Sequence, residues 1–170
     1  MFEIGDYIIY GNNGVCKVVE IGPIQISENS TDKLYYTLEP VYERGSKVYT
    51  PVGNKKVLMR AVISKDEALE LIDNIPTIEV DKDLPDKQRE KEIKESLRSI
   101  DCEEWIKVLK VLHHRKKERH ANDKKMTSSD EKFMQEAEDC LYGELSISLD
   151  LEKEEIEGFV MNRLEEANLT

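Results

Sequence analysis

At Ser64 the hydrophobic period of this chain changes, and that change constrains the fold more than any other feature. Before it, from Gly5 to Ile63, apolar and β-branched residues alternate or form short runs broken by glycine, proline and asparagine. These are strand and turn signals. Asp6–Tyr10 and Val15–Ile21 flank the turn Gly11-Asn12-Asn13-Gly14, and Leu34–Leu38, Lys47–Pro51 and Val57–Met59 follow as a third, fourth and short fifth strand. Five short strands in so little chain predict a small, strongly bent antiparallel sheet or barrel, because closure protects edges that would otherwise pair with other chains.

After Ser64 the stripes are helical. Ser64 and Glu67 have capping-box spacing, and Ala68, Leu69 and Ile72 fall on one face of a short helix that ends near Asn74. The stretch from Ile75 to Leu84 has Pro76, an acidic run and no stripe, so it reads as a boundary. Ile93, Leu97 and Ile100 then mark a helix over about 86–99. Trp105, Ile106, Val108, Leu109 and Leu112 mark a second, with Asp101 and Glu104 as cap and partner, that runs to about His120. A third helix starts near Thr127 or Ser128 and buries Phe133, Met134, Ala137, Cys140 and Leu141, and a last one from about Leu151 presents Ile156, Phe159, Val160 and Leu164. Short connections predict a compact bundle. The expectation is an α+β chain with a barrel at 1–63, a short helix and linker at 64–84, and a helical domain at 85–170.

Charge decides which partners are open to such a chain. Its 170 residues carry 36 acidic and 25 basic side chains, a formal net charge of −11 with histidines neutral. An evenly acidic protein is repelled by nucleic acid. The charge is not even, however: residues 105–125 hold 8 Lys or Arg against only Glu118 and Asp123, together with all three histidines. Arg115, Lys116, Lys117, Arg119, Lys124 and Lys125 fall within eleven residues, more than one helix dipole needs at its C-terminus. Such a cluster fits either nucleic-acid phosphates or an acidic protein surface.

Reactive groups are sparse. The sequence has no GxSxG, HExxH, P-loop or GxGxxG pattern, and its glycine-rich turn joins two strands instead of opening a helix. Adjacent carboxylates such as Glu103-Glu104, Glu154-Glu155 and Glu165-Glu166 diverge by about 100° on a helix, so they do not form a general-acid pair. His113 and His120 lie about two turns apart, roughly 10 Å, too far for two ligands of one zinc. No enzyme, metal or cofactor is expected. Cys16, Cys102 and Cys140, odd in number and widely spaced, read as reduced thiols. With no apolar run near the roughly 20 residues that span a bilayer, and no basic, apolar leader at the start, the expectation is a cytoplasmic protein without a membrane partner. Trp105, with Leu109 at i+4 and Leu112 at i+7, reads as core, a wedge into DNA being the alternative.

The opening Met1-Phe2-Glu3-Ile4-Gly5-Asp6-Tyr7-Ile8-Ile9-Tyr10-Gly11-Asn12-Asn13-Gly14, with Tyr35-Tyr36-Thr37-Leu38, Tyr49–Asn54 and Gly143–Leu149, resembles the CarD-like bacterial transcription regulators. That family shares its N-terminal module with the transcription-repair coupling factor. The resemblance covers roughly 1–165. It implies a Tudor-like, SH3-like barrel that binds the RNA polymerase β subunit by strand addition, and a helical module that contacts promoter DNA near the upstream edge of the bubble and stabilises the open complex. On this chain the implied polymerase surface is Tyr35, Tyr36, Thr37, Val48, Tyr49 and Thr50. The cationic positions are Lys87, Arg89 and Lys91 on the first helix of the module and Arg115, Lys116, Lys117, Arg119, Lys124 and Lys125 on and after the second. Many members carry a wedge tryptophan near the start of that first helix, whereas Leu84–Arg89 here has no aromatic residue. The implied protein is a monomer tethered to DNA through polymerase, or else an adaptor that docks on polymerase without touching DNA.

Overall fold

The computed structural model describes residues 1–24 and 33–168. The chain divides into two compact units, Met1–Val62 and Ile63–Thr170. The first is an antiparallel sheet of β1 (Tyr7–Tyr10), β2 (Val15–Pro23), β3 (Leu34–Pro40), β4 (Val48–Pro51) and β5 (Met59–Ala61), in the order β4-β3-β2-β1-β5. The second contains five helices, α1 (Lys65–Asp73), α2 (Asp86–Arg98), α3 (Cys102–Ala121), α4 (Ser128–Leu149) and α5 (Ile156–Asn168). The fold class is α+β, as the switch of period predicts.

In the sheet, β1 and β2 form a hairpin through a 3-10 turn at Gly11–Asn13, closed by Tyr10 N–H to Gly14 O at 2.9 Å. Glycine is required at Gly11, where φ is +44° and an added Cβ would lie 2.8 Å from Val57 Cγ1. A register shift between Val18 and Glu20 leaves Val19 out of the pairing and bends β2 across the sheet, the usual way a short sheet curls. Ile8, Tyr10, Cys16, Val18, Tyr36 and Leu38 bury one face as the core. The fifth strand lies two residues later than Val57–Met59, at Met59–Ala61. Its register is fixed by pairing of Tyr10 with Met59 and Ile8 with Ala61, which the unalternating run Val57-Leu58-Met59 does not reveal.

Helices α1, α3 and α4 begin at side-chain caps. Ser64 Oγ accepts from Glu67 N–H, and the Glu67 carboxylate accepts from Ser64 N–H, a complete capping box. Asp101 caps α3 by accepting from Glu103 N–H, while Glu104 turns instead to Ser96 Oγ at 2.9 Å and Lys107 Nζ at 3.1 Å. At α4 the cap is Thr127, which accepts from Asp130 N–H. Helix α4 then runs through Gly143–Leu149 and stops at Asp150, whose φ of 54° and ψ of 49° turn the chain back. A 3-10 turn at Lys153–Glu155 takes up the residues between Leu151 and the true start of α5 at Ile156. Trp105 is 2% exposed and sits in the core with Ile93, Leu97, Leu112, Leu141 and Leu145. Phe133 and Cys140 are only half-buried.

Candidate functional site

Two surfaces concern function, one in each unit. In the first, β4 ends the strand order, so among the described residues one side of it pairs with nothing. Its ladder to β3 pairs Tyr36 with Thr50 and Thr37 with Tyr49, and Val52 N–H bonds to Leu34 O at 2.9 Å. Hydrogen bonding alternates along an antiparallel pair, so Val48, Thr50 and Val52 direct their main-chain groups to β3 and Tyr49 directs its N–H and C=O outward. Pro51 has no N–H to offer. The open edge therefore presents one complete donor–acceptor pair, at Tyr49, whose side chain is 51% exposed.

The other polymerase positions divide between face and core. Tyr35 is half-buried, Val48 is half-buried with its side chain packed against the core, and Tyr36, Thr37 and Thr50 are buried. The Tyr36 hydroxyl accepts from Phe2 N–H at 3.0 Å and its ring packs on Phe2, pinning the N-terminal segment. Thr50 Oγ1 accepts from Asn54 Nδ2 at 3.0 Å and holds the turn after β4. These three side chains are occupied by the fold and their backbones by the ladders that join β2, β3 and β4, so none of the three is open to an added strand.

In the second unit the cationic positions also divide. Arg115 Nε donates to Asp130 Oδ2 at 2.9 Å, and the Asp130 side chain is only 8% exposed. The pair joins the last turns of α3 to the first turn of α4. Arg119 Nε donates to Lys125 O at 2.6 Å while Arg119 O accepts from Lys124 N–H, so Arg119 holds the loop between those helices. Arg89 pairs with Asp86 at 2.9 Å, its side chain 12% exposed. The three guanidinium groups are thus engaged in internal contacts. Lys91 is exposed with Glu95 at 4.0 Å, a loose surface pair. Lys87, Lys116, Lys117, Lys124 and Lys125 are exposed and, among the described residues, form no ion pair. Arg89 lines a cleft between α2 and the first half of α3, with Val108 and Val111.

Two features escape the sequence reading. Glu144, fully buried, accepts from Ile63 N–H at 3.0 Å and from the Cys102 thiol at 3.1 Å, while Ser148 Oγ donates to Ile63 O at 2.7 Å. Its place in the stripe Ala137, Leu141, Glu144, Ser148 is the signal that could have found it. Lys110 Nζ donates to the carbonyls of Ile75 and Ile78, the latter at 2.7 Å. Burial, with Lys82 nearby, holds the Lys110 ammonium below its usual range. Burial and then Lys116 do the same for His113, which favours its neutral form. Among the described residues no group of three His, Cys, Asp or Glu could hold a metal ion, and no helix is long and apolar enough to cross a membrane.

Residues 2–63 match the CarD-like/TRCF RID domain, and residues 70–161 match the CarD C-terminal domain. The chain belongs to the CarD-like family. The CarD-like strand unit thus carries the open edge at Tyr49, and the CarD C-terminal match runs from α1 into α5 and includes every cationic position named above. Membership makes this a transcription-associated protein with a Tudor-like N-terminal domain. No curated protein matches the chain.

Proposed function

We propose that this CarD-like chain is a non-enzymatic transcription regulator that docks on the RNA polymerase β subunit by strand addition at β4. Its exposed lysines, Lys87, Lys91, Lys116, Lys117, Lys124 and Lys125, then touch promoter DNA that polymerase has already brought near. The observation that carries the reading is the open edge of β4 in a RID-type sheet, where Tyr49 offers both main-chain groups. Strand addition needs such an edge, with main-chain bonds giving affinity and the flanking Tyr35 and Tyr49 side chains giving selectivity.

A net charge of −11 makes free association with DNA poor, but tethering replaces a bimolecular encounter with a local concentration set by the linkage. Ammonium groups on flexible stems suit phosphate contact without sequence readout. The internal use of Arg89, Arg115 and Arg119 favours a second reading, in which the protein is an adaptor on polymerase and the lysines meet an acidic protein surface. Open-complex lifetime on a promoter, with and without the protein, tests both. The K116A/K117A/K124A/K125A variant is expected to bind core polymerase as the wild type does and to lose its effect on lifetime. An unchanged effect supports the adaptor.

A further inference from the structure

The helical unit holds an open recess of about 690 Å³ between α1, α3, α4 and α5, within the size range of small-ligand sites. Its floor is apolar, built from Ile72, Ile106, Leu109, Leu145 and Leu164. Met161, 55% exposed, continues this apolar surface at the lip.

Its rim carries three lysines, Lys82, Lys110 and Lys117, in a protein that is strongly acidic. Lys110, His113, His114 and Lys117 fall at i, i+3, i+4 and i+7 of α3 and so form one stripe along the recess, with Lys82 also on the rim. Glu79 is the one acidic residue of the lining. Lys82 and Lys110 lie near enough for the charge of one to disfavour that of the other, and an anion between them relieves this repulsion. Lys110 is already held by the carbonyls of Ile75 and Ile78, so its ammonium is fixed in place before any ligand arrives. A DNA backbone has no use for an apolar floor. A ligand with one anionic head and an aliphatic body uses both parts.

We propose that this recess binds a small single-chain amphiphile whose anionic head, a carboxylate or a phosphate monoester, lies against Lys82, Lys110 and Lys117 and whose aliphatic chain covers Leu109 and Leu145. The recess is lined by residues of the helical unit alone, so the proposal does not rest on strand addition at β4, although Lys117 is shared with the proposed DNA contacts.

The test uses the full-length chain and four probes, dodecanoate and dodecyl phosphate below their micellar concentrations, neutral dodecanol below its solubility limit, and inorganic phosphate, by calorimetry and by backbone amide shifts. The expected result is saturable one-to-one binding of at least one anionic amphiphile, with shifts centred on the recess residues. Dodecanoate and dodecyl phosphate distinguish the two head groups. Dodecanol and inorganic phosphate are expected to bind at least about tenfold more weakly. The K82E/K117E variant changes two exposed side chains, and it is expected to weaken the anionic probes about tenfold while keeping its amide spectrum. Equal affinity for dodecanol, an unaffected K82E/K117E variant, shifts elsewhere, or no saturable binding overturns the proposal. An acidic amphipathic peptide that binds the recess when neither amphiphile does overturns it too, since the recess is then a macromolecular groove.

Discussion

Glu144 accepts a hydrogen bond from the backbone N–H of Ile63 at 3.0 Å, so a fully buried carboxylate in α4 fixes the first residue of the helical unit. Ser148, one turn on, donates to the carbonyl of the same residue. Both come from the Gly143–Leu149 segment that marks the family resemblance, and through them that segment holds the entry to α1.

Replacing Glu144 by alanine leaves the Ile63 N–H and the Cys102 thiol to find new partners in a dry setting, a loss of about 2–4 kcal/mol. Urea denaturation of Glu144→Ala measures it, and Ser148→Ala should cost less, about 1 kcal/mol, because a hydroxyl bond is weaker than one to a carboxylate. A Glu144→Ala midpoint equal to that of the wild type refutes the clamp.

Arg115 and Lys116 are neighbours in sequence with opposite roles. Arg115→Ala strands the buried Asp130 carboxylate and is expected to cost about 2–3 kcal/mol, whereas Lys116→Ala stays within about 0.5 kcal/mol. In a double-mutant cycle Arg115→Ala with Asp130→Asn should show strong coupling. Independent, additive effects contradict the assignment of Arg115 to the fold.

That pair also shows what the sequence conceals. Period and caps are local properties, so the change at Ser64, the capping box, the β1–β2 hairpin and the burial of Trp105 were legible. Which cations are free is not local. Asp130 lies fifteen residues beyond Arg115, and nothing along α3 shows that the two meet. Likewise Tyr35-Tyr36 tells a reader that one tyrosine faces inward, since adjacent strand residues point to opposite faces, but only the register with β2 and β4 shows that it is Tyr36. The fifth strand was displaced because its register is set by β1 and not by its own pattern.

Arg163 of α5 grips Asp73 at the end of α1 with two bonds, 2.7 and 2.9 Å, and that hydrogen bonding holds the Asp73 carboxyl below its ordinary range. A depressed folded value means that the pair stabilises the protein above the unfolded carboxyl pKa and that this contribution is lost as pH falls through the folded value. The wild type should therefore melt above Arg163→Gln near neutrality, with the gap closing on acidification and shrinking in high salt. A gap that is constant with pH contradicts the pair.

The thiols of Cys16 and Cys140 are pushed up to about 11 by burial first, with Glu43 adding to the first and Glu136 to the second. Little thiolate exists near neutrality, so alkylation by iodoacetamide at pH 7.5 is expected to be far slower than in urea. Native labelling at the unfolded rate rejects this.

Strand addition at β4 is tested most directly by the affinity of the full chain for core RNA polymerase with Tyr49 changed to proline. Proline there removes the outward N–H and no ladder bond to β3, so an edge strand can accommodate it. Circular dichroism and amide spectra should show the sheet intact while binding falls at least about tenfold, the loss of one main-chain bond plus a ring clash at the contact. Wild-type affinity from a folded Tyr49→Pro variant contradicts strand addition at this edge.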